Sequence, residues 1–359
     1  MVTPFDAAMM DRALAWAERG RGRTSPNPAV GAVVVDGDGI VVGQGTTEPA
    51  GGPHAEVVAL ERAGSRARGG TLYVTLEPCS HTGRTGPCTE RVVAAGIRRV
   101  VAATTDRNPR VSGQGLAFLR AHGIDVTVGV RETEAIAQLT PFFTWITRRR
   151  PFVTAKAAVS ADGFVGPGDR PVRLTGPAAD RFFQRQRAEI DAIAVGSGTV
   201  LVDDPQLTAR GAFRARPLTR VIVDWRGRVP ASARVFSTLG AGPVIMVTTG
   251  RTRHHLAAHF EALERRGVDV QAFDSRDLDA LMSWLAGRGI LSLLVEGGPA
   301  LHDALAAVRF VDRVQLAATP VRLGAGVKAA AITQRVPADA RVRQLGDDRV
   351  IEFDVHWTD

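Results

Sequence analysis

One histidine, one glutamate and two cysteines have the types and spacing of a catalytic zinc site. His54 and Glu56 stand two residues apart where a helix is expected to begin, and Cys79 and Cys88 follow an expected strand. One imidazole and two thiolates suit tetrahedral zinc, and the chain has no third cysteine to close a cysteine-rich structural site. We therefore expect water in the fourth position, with its pKa lowered toward neutrality by zinc. Glu56 is then placed to move protons from this water to a departing amine.

A structural zinc site is the alternative interpretation of these residues. His81 lies between the two cysteines, and as a fourth ligand it would close the site and make it inert. Taken singly, a histidine at a helix start or two cysteines nine residues apart say little. Together with Glu56 and Pro78 they match the His-x-Glu and Pro-Cys pattern of zinc deaminases, which favours catalysis.

The composition indicates a globular protein of two domains. A chain of 359 residues with 45% apolar content is too long for one ordinary compact core. Two neighbouring cysteines cannot form the disulfide framework of so large a protein, which again favours a metal. Neither a stretch of eighteen apolar residues nor a signal-peptide pattern occurs, so we expect a cytoplasmic protein without a membrane span.

The formal charge of +8 raises the possibility of nucleic-acid binding. The basic residues are scattered and have no interleaved aromatic side chains, which favours a solvated basic surface over a nucleic-acid face. Only Lys156 and Lys328 among the 45 basic residues are lysine. Since arginine serves wherever a generic cation suffices, Lys156 is a candidate for chemistry that needs a compact ammonium, although a strand-end surface position is the other interpretation.

Hydrophobic periodicity predicts alternating strands and helices in both halves, which is typical of an α/β protein. In the first half the expected strands are 30–36, 40–45, 71–76, 99–104 and 125–128, and the expected helices are 5–19, one from 54, 89–95 and 115–122. In the second half the expected strands are 152–159, 192–195, 220–223, 244–247 and 291–295, and the expected helices are 178–188, 254–265, 278–286 and 301–307. The charged, proline-closed segment 147–151 separates domains at 1–147 and 151–359.

Two glycine-rich segments of the second half, 195–200 and 295–300, follow expected strands. Backbone at such turns can approach a phosphate, although a tight connection is the commoner meaning of paired glycines. Neither segment has the Gly-x-Gly-x-x-Gly fingerprint of a dinucleotide site.

Longer motifs in the first half add a resemblance to a known family. PNPAVG at 26–31, AGGPHAEV at 50–57 and TLEPCSHTGRTGPC at 75–88 resemble the deaminase domain of bifunctional riboflavin-biosynthesis deaminase–reductases. The resemblance implies a diaminohydroxy-phosphoribosylaminopyrimidine substrate, with Asn27, Ser80 and His81 beside it. On local grounds Asn27 is equally a turn residue between two prolines. Thr47 stands where the family commonly has a further histidine.

The second half is similar to the reductase domain of the same family. The second half contains the family's sequence motifs in the family's order, namely Lys156, SADG at 160–163, VGSGTVLVDDPQLTAR at 195–210 and EGGP at 296–299. The resemblance implies reduction of a ribosyl group to ribityl by NADPH. At the substrate it places Lys156, Arg187, Leu207, Arg210 and Glu296. At NADPH it places Ala158, Thr199, Asp203, Gly298, Pro299, Ala300 and Leu301. Arg187 and Arg210 could each grip a sugar phosphate through two hydrogen bonds, or be solvated surface charges.

By this resemblance the fold is an N-terminal cytidine-deaminase-like three-layer domain followed by a dihydrofolate-reductase-like domain. We expect a homo-oligomer with bound Zn²⁺ and NADPH that acts on a small molecule, without nucleic acid or membrane. Pro171 and Arg173 stand where the family usually has serine and tryptophan. Two alternatives therefore stay open, a deaminase with a degenerate or differently specific reductase domain, and a basic nucleic-acid-binding protein with structural zinc.

Overall fold

The computed structural model describes residues 2–80, 86–109 and 111–357. The chain divides into two compact units, Met1–Arg150 and Pro151–Asp359. Within the described residues, no helix combines the length and the apolar character that crossing a membrane requires.

The first unit is a mixed sheet with helices on both faces. Its strands β1 to β5 are Gly31–Val35, Val41–Thr46, Thr71–Val74, Arg99–Ala102 and Asp125–Val128. Its helices α1 to α5 are Pro4–Gly20, Ala55–Ala63, Cys88–Ala94, Gln114–Ala121 and Glu132–Arg148, and a 3₁₀ turn spans Gly64–Ala67. The strand order is β2-β1-β3-β4-β5. β1 pairs antiparallel with β2 and β3, whereas β3, β4 and β5 run parallel.

The three layers follow from how β1 and α1 are built. Every residue of β1 is buried, as a strand covered on both faces requires. Gly31 allows α1 to approach closely, because a Cβ at this position would lie 1.9 Å from the carbonyl oxygen of Ala13. Thr3 caps α1 and forms a capping box with Asp6, which fixes where the helix begins.

The second unit is organised around a nine-stranded sheet. Its strands β6 to β16 are Phe152–Val159, Phe164–Gly166, Ala192–Gly196, Thr219–Val223, Val244–Thr249, Asp269–Phe273, Ser292–Val295, Arg313–Ala318, Val327–Lys328, Arg341–Leu345 and Asp348–Asp354. Its helices α6 to α11 are Pro177–Glu189, Ser197–Asp203, Gly250–His255, Ala257–Arg265, Leu278–Gly287 and Pro299–Ala307, with 3₁₀ segments at Arg234–Ala241 and Ala331–Thr333. The sheet order is β11-β10-β9-β8-β12-β6-β13-β16-β15.

Strand direction in this sheet determines where a site can form. The strands from β11 to β13 run parallel, and only β16 is antiparallel to its neighbours β13 and β15. β7 and β14 form a separate antiparallel pair. The carboxyl ends of the parallel strands therefore meet at one edge, where ligands bind in open α/β sheets. The segments that follow β8 and β12 carry the two glycine-rich motifs to this edge.

Several elements differ from the sequence-based expectation. The apolar run at 141–146 belongs to the 17-residue helix α5 in spite of Pro141 inside it. The expected helix 254–265 is two helices, α8 and α9. The first glycine-rich segment turns into helix α7 at Ser197. The sequence analysis predicted no counterpart for six strands of the second unit, β7, β11, β13, β14, β15 and β16.

Candidate active sites

Three potential metal ligands meet in the first unit. His54 is the residue before α2, Cys79 follows β3 in the segment Leu76–Ser80, and Cys88 is the first residue of α3. The Nδ1 atom of His54 lies 3.6 Å from Sγ of Cys79 and 3.3 Å from Sγ of Cys88. The ligand atoms of all three residues lie within 4.8 Å of one another. This donor set of one imidazole and two thiols fits zinc.

The thiols interact strongly in this arrangement. The backbone N–H of Cys88 donates to Sγ of Cys79 at 3.4 Å. The hydrogen bond with the Cys88 thiol lowers the pKa of Cys79, and the hydrogen bond with His54 lowers it further. The same bond with Cys79, together with burial, raises the pKa of Cys88. Cys79 is therefore prepared to be a thiolate, the form that ligates metals.

Glu56 lies in the first turn of α2, two residues after His54, and is only 4% exposed. Burial raises the pKa of Glu56 to about 7, although the neighbouring His54 acts in the opposite direction. A carboxyl group with a pKa near the working pH can both accept and release a proton. The position and the protonation behaviour of Glu56 thus suit a proton carrier.

A cavity of about 290 Å³ adjoins these residues. Its walls include Asn27, His54, Glu56 and Cys79, so four of the residues singled out in the sequence come together. Thr47 also lines the cavity, and its Oγ1 accepts a hydrogen bond from the backbone N–H of Val30 at 3.2 Å. Ser80 is partly exposed, and His81 lies outside the described residues.

The cavity also has walls that the sequence analysis missed. Asp106 and Asn108 line it from the segment after β4, and Phe142 and Trp145 line it from α5. The signal for the first pair was a polar Asp-x-Asn-Pro segment that begins four residues after the end of β4, at the edge where parallel strands place functional side chains. The signal for the aromatic pair was the apolar run 141–146, which contains both residues.

Glu77 holds the backbone of the cavity wall that contains Asp106. Its side chain is 3% exposed, and its carboxylate accepts four backbone N–H groups. These donors are Asp106 at 3.1 Å, Gly113 at 2.9 Å, Gly115 at 2.9 Å and Leu116 at 3.3 Å. Gly115 is required because a Cβ there would lie 2.0 Å from the carbonyl oxygen of Pro78, the residue before Cys79. One carboxylate thus ties the cavity loop and the start of α4 to the metal-binding segment.

Two cations and one carboxylate form a buried cluster in the second unit. Arg187 of α6 donates from Nε and Nη2 to the two carboxylate oxygens of Glu296, both at 2.7 Å. Nζ of Lys156 on β6 lies 3.5 Å from Glu296 and 4.4 Å from the ring centroid of Phe183. Burial alone would raise the pKa of Glu296, but Lys156 and Arg187 lower it to about 2. Glu296 is therefore ionised throughout the neutral range.

The sequence had suggested that Arg187 could bind a sugar phosphate through two hydrogen bonds. Because Nε and Nη2 both donate to Glu296, these two donors are not free to bind a phosphate. Its Nη1 donates to the carbonyl oxygen of Thr208 at 3.2 Å. Arg210 is exposed, and its backbone N–H donates to Gln184 at 2.7 Å. Leu207 is 4% exposed, has φ of 57°, and packs in the core with Val195 and Val200. Arg187 and Glu296 are brought together, whereas Leu207 contributes its side chain to the core.

A second cavity, of about 650 Å³, lies at the carboxyl edge of the large sheet. Six of the residues expected at NADPH line it, namely Thr199, Asp203, Gly298, Pro299, Ala300 and Leu301. Thr199 holds the glycine turn in place, because its Oγ1 accepts the backbone N–H of Gly298 at 3.1 Å. Ala158 packs instead beside the small core cluster that contains Phe183. The cavity thus gathers most of the expected cofactor residues, which lie on α7 after β8 and at the start of α11 after β12.

Family models match both units of the chain. Residues 4–104 match the cytidine and deoxycytidylate deaminase zinc-binding region, and residues 151–351 match the RibD C-terminal domain. Similar proteins include the riboflavin biosynthesis protein RibD of Aquifex aeolicus, 39% identical over 98% of this chain and 99% of the relative. RibD of Escherichia coli is 38% identical over 90% of each chain.

Solved structures give the same result. Acinetobacter baumannii RibD superposes with a TM-score of 0.85 at 32% identity and covers 98% of this chain and 99% of its own. A Thermotoga maritima diaminohydroxyphosphoribosylaminopyrimidine deaminase/5-amino-6-(5-phosphoribosylamino)uracil reductase has a TM-score of 0.85 at 34% identity, over 97% and 98%. The fold class expected from the sequence, with a deaminase-like and a reductase-like half, is confirmed.

Proposed function

Since this chain belongs to the RibD family of riboflavin-biosynthesis proteins, in which a zinc-binding deaminase domain is joined to a reductase domain, we propose its substrates and the residues that act on them. The first unit deaminates a diaminohydroxy-phosphoribosylaminopyrimidine. The second unit then reduces the ribosyl group of the product to ribityl with NADPH. Both substrates are small molecules, and we place the enzyme in the cytoplasm as a homo-oligomer that does not bind nucleic acid.

His54, Cys79 and Cys88 are the proposed ligands of Zn²⁺. The support is the donor set itself, one imidazole and two sulfur atoms within 4.8 Å of one another beside a buried carboxyl group. Zinc in a site of this type supplies Lewis acidity that lowers the pKa of water toward neutrality.

Glu56 is the proposed proton carrier of the deamination. It accepts a proton from the attacking water as the oxygen bonds to the ring carbon that bears the amine. It then gives this proton to the amine nitrogen, the carbon–nitrogen bond breaks, and ammonia leaves. The second proton of the water moves from the added oxygen to the ring nitrogen, so that a ring carbonyl remains. A pKa of about 7, raised by burial, allows both transfers at neutral pH. Asn27, with Ser80 and His81, is proposed to orient the pyrimidine.

Lys156, Arg187 and Glu296 are proposed to orient the sugar in the reductase unit, together with Arg210 and the backbone at Leu207. NADPH supplies a hydride, and the cavity lined by Thr199, Asp203 and the turn Gly298–Leu301, together with Ala158, is its proposed site. Reduction adds the hydride to the anomeric carbon, the ring carbon–oxygen bond opens, and the freed oxygen takes a proton. The ammonium of Lys156 has donors beyond its contact with Glu296, so it can hydrogen-bond to that oxygen.

The observation that carries the proposal is that the ligand atoms of His54, Cys79 and Cys88 lie within 4.8 Å of one another. His54 and Cys79 line one cavity together with Glu56. The test is to give the purified protein the diaminopyrimidine and to follow ammonia release, with NADPH absorbance as a second signal. We expect ammonia without NADPH, and loss of NADPH absorbance only after deamination. Ammonia release with a constant NADPH signal would favour the second candidate, a deaminase whose other domain is degenerate or differently specific, as Pro171 and Arg173 suggest.

A further inference from the structure

The cavity of about 650 Å³ in the second unit has one wall whose residues are not among those proposed to bind NADPH or the sugar. Trp225, which follows β9, and Arg276, which precedes α10, lie on this wall. Val223 and Leu278 line the cavity beside them. An aromatic face stacks on nucleobases, and a guanidinium pairs with phosphate. The wall therefore has the chemistry of a site for a base that carries a phosphate nearby.

Trp225 is held in position by the surrounding structure. Its carbonyl oxygen accepts a hydrogen bond from Oγ1 of Thr252 at 2.8 Å. The half-buried ring packs against the large core cluster that includes Val223 and Leu278. A ring fixed in this way loses little conformational entropy when a planar ligand stacks on it.

Arg276 is an exposed cation with its hydrogen-bonding groups available. Within the described part of the chain it makes neither a hydrogen bond nor an ion pair. Arg228 lines the same cavity and is anchored by a 2.8 Å hydrogen bond from Nη2 to Oγ of Ser197. Arg170 is a third lining cation, and Asp203 is the one acidic residue among the described lining residues. The cavity wall thus favours an anionic ligand.

The order of the strands separates this wall from the proposed reaction centre. Lys156 lies on β6 and Glu296 directly follows β12, whereas Trp225 follows β9. In the sheet, β6, β12, β8 and β9 are consecutive neighbours, so three strand spacings, about 14 Å in total, separate the two ends. An extended dinucleotide whose nicotinamide lay near Lys156 and Glu296 would have its opposite end at the side of the sheet where Trp225 lies.

The aromatic residue that the family pattern places at position 173 is absent from this chain. Arg173 stands there instead and donates a hydrogen bond to Asp180, while its neighbour Val172 lines the cavity. Trp225 places an aromatic ring on the cavity from a different strand. The cavity therefore has an aromatic surface at Trp225, although it lacks the ring that the family pattern has at position 173.

We propose that Trp225 stacks on the adenine of the cofactor and that Arg276 pairs with its 2′-phosphate, so that this wall selects NADPH over NADH. The proposal rests on the proposed function, because it requires the larger cavity to be a nicotinamide-cofactor site. The adenosine end of the cofactor has the same chemistry as a free adenine nucleotide. Adenosine 2′,5′-bisphosphate therefore reports the adenosine end alone, and 5′-AMP reports the same end without the 2′-phosphate.

The experiment measures binding to the full-length protein by calorimetry, with NADPH, NADH, adenosine 2′,5′-bisphosphate and 5′-AMP. Arg276→Ala should weaken NADPH and the bisphosphate about tenfold, because one charge-assisted contact is lost, and should change NADH and 5′-AMP less than about twofold. Trp225→Ala should weaken all four about tenfold, and Trp225→Phe should restore most of the binding. Arg251→Ala is the matched control, since Arg251 is also exposed but lies on α8.

The outcomes separate this inference from the proposed function. Failure of the unaltered protein to bind NADPH would overturn the cofactor assignment itself. Tight NADPH binding that both Arg276→Ala and Trp225→Ala leave unchanged would overturn only the assignment of this wall. Equal weakening of NADPH and NADH by Arg276→Ala would show that Arg276 contacts some part of the cofactor other than the 2′-phosphate, which contradicts the proposal. A thermal melt of each variant identifies loss of folding, and the exposed position of Arg276 keeps that variant informative if Trp225→Ala unfolds.

Discussion

Arg187 and Glu296 form two parallel hydrogen bonds of 2.7 Å across a sequence separation of 109 residues, inside a cluster that also contains Lys156. Both partners are largely buried, with side-chain exposures of 14% and 10%. A carboxylate held by two cations orients both of them, so Glu296 determines where the donors of Arg187 and Lys156 point. The reductase half therefore depends on an internal ion cluster before any substrate arrives.

Glu296→Gln should both destabilise the second unit and slow the reductase. The amide keeps the shape of the side chain but leaves two buried cations without a counter-charge, a change that costs roughly 3–5 kcal/mol. Urea unfolding and NADPH oxidation with the deaminated intermediate measure the two effects. Glu264→Gln is the control, because Glu264 pairs with Arg253 at 2.6 Å on a more exposed surface and should cost less than about 1 kcal/mol. Equal stabilities of the two variants would show that the cluster is not important for folding.

Glu56→Gln should abolish deamination while zinc stays bound. Glutamine cannot accept and return a proton, so the rate of ammonia release should fall by about 10²–10⁴-fold. Metal analysis of the purified variant and ammonia release test the two statements. Glu61→Gln changes an exposed residue of the same helix that pairs loosely with Arg91 at 3.4 Å, and should leave both quantities unchanged. A Glu56→Gln variant with normal turnover would exclude Glu56 as the proton carrier.

The chemistry of the first site could be predicted from the sequence because it is written in short segments. His54 and Glu56 are two residues apart, and Cys79 and Cys88 are nine apart, so residue type and spacing are enough to suggest zinc. The wall formed by Asp106 and Asn108 was missed because its position depends on Glu77, 29 residues away from Asp106. Such a contact exists only after the sheet has formed, and no local pattern contains it.

The fold was predictable where apolar residues alternate strongly, and less so elsewhere. The valine-rich β1 and the capped helix α1 were expected within one or two residues of their bounds. Helix α5 was missed because Pro141 lies inside it, and proline usually ends a helix. Strand β15 was missed because it lies at the sheet edge and is largely exposed, which removes the apolar alternation. Helix α7 was missed because its first turn contains a glycine that is typical of loops.

Acidification should destabilise the first unit through Asp6. The side chain is 1% exposed and accepts hydrogen bonds from Arg99 at 2.8 Å and Tyr73 at 2.9 Å. Burial would raise the pKa of Asp6, but Arg99, Thr3 and Tyr73 together lower it from 3.8 to about 2. The stabilisation, about 2 kcal/mol, is therefore fully present above pH 4 and is lost as the pH falls toward 2.

Hydrogen exchange of the β1 and β3 amides between pH 2 and pH 5 measures this contribution. After correction for the intrinsic pH dependence of exchange, protection should fall across this interval in the unaltered protein. In Asp6→Asn it should be lower at pH 5 and nearly independent of pH. Asp11→Asn is the control, because Asp11 pairs with Arg131 on the surface and is 52% exposed. The same pH dependence in the Asp6→Asn protein would assign the acid sensitivity to other carboxylates.

Glu77→Gln should impair substrate binding in the deaminase while leaving zinc in place. The Glu77 carboxylate accepts four backbone N–H groups, whereas a glutamine side chain has one carbonyl oxygen and would direct an amide group at the remaining donors. The loop with Asp106 and Asn108 should then lose its fixed position. We expect KM for the diaminopyrimidine to rise about tenfold or more with a smaller change in kcat, and the α4 amides at Gly115 and Leu116 to exchange faster.

Glu90→Gln, an exposed change on α3, is the control and should alter neither KM, kcat nor the exchange of these amides. Loss of zinc together with loss of activity in Glu77→Gln would mean that Glu77 supports the metal-binding segment as a whole, and an unchanged KM would show that the loop it holds does not contact the substrate.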